Sequence, residues 1–138
     1  MNAFKIDVIN RVITEVEHTN WRDICPHLST HHKEARLFTV VNINAEGDGI
    51  YVDDEGLYTH DEENYCFKFE GYRQPLCGNG LILGADENGD ACTPSITLAE
   101  LKEKVTFLGK CDIALQPYGF TIVPINDQDF SALRQAVD

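Results

Sequence analysis

Several things are scarce in this chain, and each scarcity excludes something. There is no Cys-x-x-Cys. The five cysteines, Cys25, Cys66, Cys77, Cys92 and Cys111, are scattered and odd in number. A disulfide framework is therefore not expected, and reduced thiols in a cytosol are. Apolar runs last only a few residues, far short of the ~18 that a membrane-spanning helix needs. The opening MNAFKIDVINR lacks the basic-then-apolar order of a secretory signal. The expectation is a soluble, cytoplasmic protein. Cations are few as well: 11 Lys and Arg stand against 23 Asp and Glu, a net charge of −12. Direct binding to a nucleic-acid backbone, which calls for clustered Lys and Arg, is disfavoured. Low-complexity tracts and fixed-period repeats are missing too.

What remains is ordinary globular material. A chain of 138 residues has the length of one domain and can bury about two-thirds of its unfolded surface without staples. The acids are unevenly spread. Between Glu46 and Glu70 nine acids face one base, Lys68, a local net of −8. Solubility is the plain reading of such a surface; a basic partner, or imitation of nucleic acid, is the pointed one.

Along the chain, Phe4–Ile9 and Val12–Glu17 alternate apolar and polar residues around Asn10-Arg11, which predicts an opening β-hairpin over residues 1–17. Thr19-Asn20 can cap a helix whose apolar face is Trp21, Ile24, Cys25 and Leu28, with Trp21 placed in the core. Pro26 fits only a first turn, so that helix is expected to begin near Asp23 or to be distorted. Leu37–Ile43 reads as a buried strand, and Ile50–Val52 and Tyr65–Phe69 as further strands. The stretch Gly71–Leu108 organises the central part, residues 37–108. It carries a turn at Pro75, the permissive Gly78-Asn79-Gly80, a strand at Leu81–Leu83 and a turn at ADENGD. The capping box Thr97-x-x-Glu100 then opens a helix whose Leu98, Leu101 and Val105 face inward. Val105–Leu108 is expected to pass into a strand. Residues 109–138 supply closing strands, Cys111–Leu115 and Phe120–Ile125, joined by Gln116-Pro117-Tyr118-Gly119, and a C-terminal helix capped by Asn126 or Asp127 with Phe130, Leu133 and Val137 on one face. The prediction is one α+β domain over residues 1–138: seven or eight short, mostly antiparallel strands with about three short helices.

Four constellations invite chemistry. Asn44–Glu55, with Asn44, Glu46, Asp48, Gly49 and Glu55 at calcium-loop spacing, sits between strands where that motif requires helices. Asp86–Thr97, the other candidate for the same calcium loop, has Ala91 and Thr97 where glycine and the bidentate acid belong. Tyr51-Val52-Asp53-Asp54 resembles the metal-binding hairpin of reverse transcriptases, but the chain is far too short for that palm, and a solvated acidic turn accounts for it. Cys25, His27, His31 and His32 include good zinc-ligand types, yet Pro26, Ser29 and Thr30 break the helix that would align them. Gly78-Asn79-Gly80 lets a backbone approach a small anion, but no phosphate-loop signature accompanies it, and a turn or bulge explains it as well. No Ser or Cys is visibly paired with a His and an acid, so no catalytic residue, metal ligand or cofactor is assigned.

At IYVDDEGL (Ile50–Leu57), GYRQPLCGNGLILGADENGD (Gly71–Asp90) and TLAELKEKVTF (Thr97–Phe107) the chain resembles small uncharacterised proteins encoded by tailed bacteriophages and prophages. The resemblance covers about Lys5 to Leu108 and implies a viral accessory protein in a bacterial cytoplasm. It brings no reaction or catalytic residue with it. The expected function is therefore non-enzymatic binding of a host protein or a small ligand. For a protein partner the candidate surface is Tyr51, Asp53, Asp54, Glu55, Tyr58, Asp61, Glu62 and Glu63, with the tyrosines as amphipathic anchors. For a small ligand it is Gly78, Asn79 and Gly80. An acidic mimic of nucleic acid and a small metal-dependent enzyme are the alternatives, and the oligomeric state stays open, a homodimer included.

Overall fold

The computed structural model of the chain describes residues 1–30, 34–54, 64–116 and 119–124. Through them run β1 (Asn2–Asp7), β2 (Val12–Glu17), α1 (Ile24–Leu28), β3 (Phe38–Asn42), β4 (Gly49–Asp53), β5 (Tyr65–Phe69), β6 (Leu76–Cys77), β7 (Gly80–Ala85), β8 (Ala91–Cys92), α2 (Leu98–Lys104), β9 (Val105–Gln116) and β10 (Gly119–Pro124). A one-turn 3-10 helix, Trp21–Asp23, precedes α1. One sheet has the order β2-β1-β7-β4-β3, with β8 also pairing β7; the other has the order β10-β9-β5-β6. All these pairings are antiparallel. The mostly antiparallel α+β class thus stands, with ten strands among the described residues where seven or eight were expected. The C-terminal helix and Pro117-Tyr118 lie outside the described residues. No helix among them is long and apolar enough to cross a membrane.

The alternation that marks a strand in sequence decides the packing. Phe4, Ile6, Ile50, Val52 and Ile82 point from the first sheet toward Phe67, Phe69 and Leu76 of the second, and share one core with Ile96, Leu101 and Val105. The opposite face of the first sheet presents Ala3, Leu81 and Leu83, which Ile24 and Leu28 of α1 cover. Gly80 lies in the main core, where a Cβ would come within 3.1–3.4 Å of Ile50, Phe67 and Ile6.

Local signals formed largely as read. The Asn20 side chain accepts from the Arg22 N–H at 2.8 Å, and Asp23 reaches back to the Asn20 N–H. Pro26 falls in the first turn of α1, where its missing N–H has no intrahelical partner to lose. Thr97 Oγ1 accepts from the Glu100 N–H at 3.2 Å, and β9 leaves α2 directly at Val105. The two strands expected around Gly109 are one strand with a bulge: the register against β5 shifts between Cys66 and Phe67. Gly109 takes φ +73° there, a conformation that side chains resist.

Three expectations need correction. The opening hairpin turns over Val8–Arg11 rather than Asn10-Arg11, and the positive φ falls on Arg11 (57°). Asp7 organises this turn by accepting from the Ile9 and Asn10 N–H groups and from Asn10 Nδ2. Trp21 is not core but 69% exposed, with the Arg22 guanidinium 5.5 Å from its ring centre. The α-helical period starts only at Ile24, so Trp21 is out of phase with Ile24 and Leu28. The segment Leu37–Ile43 is not a buried strand. Its β3 lies at the sheet edge, with Leu37, Phe38 and Val40 exposed. A β-branched run reads alike at the centre and the edge of a sheet.

Candidate functional site

Backbone hydrogen bonds fix which way β3 faces. The Asp54 N–H donates to the Leu37 carbonyl, and the Ile43 N–H to the Asp48 carbonyl. Residues 37 and 43 are therefore in hydrogen-bonded pairs with the β4 side, and by the period of two so are Thr39 and Val41. The N–H and C=O groups of Phe38, Val40 and Asn42 then point away from β4, along an edge that pairs with no other strand among the described residues. The Phe38 and Val40 side chains lie on the sheet face that carries α1, beyond its reach. Phe38 packs on Tyr51, ring centres 5.3 Å apart and tilted by 48°.

Two depressions border this strand. On the α1 side an open groove of about 560 Å³ is lined by Trp21, Arg22, Cys25, Arg36, Leu37 and Phe38. On the other side a depression of about 240 Å³ lies between β3, the end of β4 and the Tyr72–Cys77 segment, with Val41, Val52 and Leu76 in its walls. The first groove is apolar and brings together two arginines of a chain that has 11 Lys and Arg in all, so its local charge opposes that of the molecule. Every other edge among the described residues is blunted. β2 carries Glu15 and Glu17, β6 and β8 have two residues each, and β10 ends in Pro124. β3 carries no charge, proline or bulge, the usual protections of an edge.

The acidic surface named from sequence is only partly assembled. Tyr51 is half-buried against Phe38, and burial raises its hydroxyl pKa. Asp53 is buried and close enough to Cys25 to raise that thiol's pKa, second to burial itself. Asp54 is exposed at the strand end. Glu55, Tyr58, Asp61, Glu62 and Glu63 lie outside the described residues. The tyrosine therefore belongs to the β3 face, where Trp21 and Phe38, which sequence reasoning had placed inside, are exposed.

The glycine turn has internal duties. Asn79 is buried; its Oδ1 accepts from the Val8 N–H at 3.0 Å and its Nδ2 donates to the Ser29 carbonyl at 3.4 Å. It borders a polar depression of about 330 Å³ shared with Lys5, Asp7, Asn10, Ser29 and Thr30. Gly78 (φ +87°) and Gly80 flank it, one for its backbone and one for its lack of a Cβ.

The calcium-like loop also closes on protein groups. Asn44 Oδ1 accepts from the Glu46 and Asp48 N–H groups. Asp48, with no exposed surface, accepts from Asn44 Nδ2, Ser95 N–H and Ile96 N–H at 2.8–2.9 Å. Asp86 does the same locally, holding Asn88 and Asp90 N–H in the β7–β8 turn. Of the histidine group, His31 and His32 lie outside the described residues, and His27 has its pKa lowered by burial first and by Lys5 second. No three His, Cys, Asp or Glu side chains among the described residues are arranged to hold a metal ion.

Comparison of the chain with protein-family models, with curated proteins and with solved structures gave no match in any of the three.

Proposed function

We propose that this chain is a non-enzymatic accessory protein, of the phage type that its sequence resembles, and that it acts by capturing an extended segment of a protein partner along β3. The observation that supports this is the unguarded β3 edge with a depression on each side. A strand laid beside β3 would bond to the outward N–H and C=O groups of Phe38, Val40 and Asn42. Its alternate side chains would fall into the two depressions, the arrangement by which strand addition obtains both affinity and selectivity. Trp21, Phe38 and the flanking arginines are the residue types that anchor interfaces. Arg22 and Arg36 select a partner strand with an aromatic or aliphatic residue next to a carboxylate.

The test is selection from a displayed library of extended peptides against the full chain, followed by binding to Val40→Pro and Trp21→Ala. The proline removes an N–H that faces the free edge, so the β3–β4 ladder survives. The expected result is a set of alternating apolar, acid-bearing peptides that lose about tenfold or more in affinity for each variant. No enriched peptide, or peptides that bind both variants as well as the parent, would overturn the proposal. A concentration-dependent dimer abolished by Val40→Pro would overturn it too, because the edge would then serve a second copy.

A further inference from the structure

The outer face of the second sheet carries three cysteines in a row. Cys66 of β5 is directly opposite Cys77 of β6, and Cys111 of β9 lies diagonally across the other side of Cys66, two residues beyond the Gly109 that faces it. Cys66 and Cys111 are fully buried, Cys77 nearly so, and the three form a cluster of their own with Leu108. None of the three is in a disulfide. Thiol hydrogen bonding with Cys111 and with Cys77, then burial, pushes the Cys66 pKa far up, so this sulfur stays a thiol until it reacts.

Register settles which pair can join. The Gly78 N–H donates to the Tyr65 carbonyl at 2.8 Å, which makes Tyr65–Gly78 a hydrogen-bonded pair and Cys66–Cys77 the non-hydrogen-bonded pair beside it. Such pairs bring Cα atoms to about 4.5 Å and their side chains closest together, inside the ~4.4–6.8 Å range that a disulfide spans. Cys77 keeps 6% of its surface exposed, where Cys66 and Cys111 keep none. It is the thiol of the three that an oxidant can reach.

We propose that Cys77 and Cys66 form a site of reversible oxidation by hydroperoxide. Peroxide transfers one oxygen to the Cys77 sulfur, giving a sulfenic acid and releasing water. The Cys66 sulfur then attacks the Cys77 sulfur, the S–O bond breaks, and the thiol proton leaves with the hydroxyl as a second water. Two thiols are oxidised to one disulfide for each peroxide reduced. A dithiol reverses the bond by thiol–disulfide exchange.

The experiment uses the full chain carrying Cys25→Ser and Cys92→Ser, which removes the two half-exposed thiols and leaves the buried three intact. The folded protein is treated with hydrogen peroxide, denatured, alkylated and digested without reduction. The expected result is a loss of two hydrogens from the intact mass, one alkylated thiol instead of three, a Cys66–Cys77 linked peptide and full reversal by dithiothreitol. The same treatment in denaturant should lose the pairing preference. Three alkylatable thiols after treatment, oxygen addition without a disulfide, or a disulfide that engages Cys111 instead of Cys77 would each overturn the proposal.

Discussion

Replacing Asp48 by alanine should destabilise this fold more than any change on its surface. The carboxylate is fully buried and receives the N–H groups of Ser95 and Ile96, 47 and 48 residues further along the chain, and Asn44 Nδ2. It thereby ties the turn that launches β4 to the segment that leads into α2. Alanine leaves two backbone donors without an acceptor at a buried site. Each stranded donor costs about 1–3 kcal/mol, so the expected loss is about 3–5 kcal/mol, a large part of the ~5–15 kcal/mol by which domains are stable. With a urea m-value of about 1–3 kcal/mol/M, the midpoint should fall by roughly 2 M. Asp48→Asn has the same shape but turns one acceptor into a donor, and should cost roughly half as much. The assay is equilibrium urea unfolding followed by circular dichroism and Trp21 fluorescence. A loss below about 1 kcal/mol for the alanine variant, at unchanged m, would refute the assignment of Asp48 as the tie between these segments.

Three further outcomes follow from the same geometry. Gly84→Ala should cost about 2 kcal/mol or more in urea unfolding, because a Cβ there would sit 2.8 Å from the Thr93 carbonyl oxygen and 3.2 Å from Asp48 Oδ1. Stability should fall with pH on the acid side of 6.5, the ordinary histidine value. Burial and Lys5 hold the folded His27 pKa below it, so the unfolded chain binds more protons there and the stabilisation present above 6.5 is lost as pH falls through the folded value; His27→Gln should flatten that part of the profile. Asp7 acts in a lower window. Burial raises its pKa, but the Asn10 and Ile9 hydrogen bonds and Lys5 together bring it below 3.8, so its contribution is present above that value and lost below it. Asp7→Ala should remove the slope there in a pH series of melting temperatures.

What the sequence disclosed was local, and what it concealed was set at long range. Asn20 and Thr97 announce their helices because a cap bonds within three residues, and the β1–β2 alternation announces a hairpin. Leu37–Ile43 announces a strand but not an edge, since the side that lacks a neighbour is decided by where β7 and β4 sit. Trp21 is legible as a large apolar ring, which favours the core by base rate; its exposure depends on α1 being one short segment over the middle of the sheet. Asp48 looks like a member of an acidic run until Ser95 and Ile96 arrive from the far end of the stretch that follows. The Cys77–Cys66–Cys111 row is invisible in spacings of 11 and 45 residues and appears only with the register of β5, β6 and β9. Two-residue strands such as β6 and β8 are too short to show a period at all.

The most direct test of the account is amide hydrogen exchange along β3, residue by residue, in the free protein and with a library-selected peptide bound. The free protein should alternate: Thr39 and Val41, bonded to β4, exchange slowly, while Phe38, Val40 and Asn42 exchange fast. Peptide should slow Phe38, Val40 and Asn42 and leave the alternation gone. Slow exchange at all five positions before any peptide is added, or protection that appears at Asn79 or elsewhere while β3 stays unchanged, would contradict the claim that β3 is an open edge built to take a partner strand.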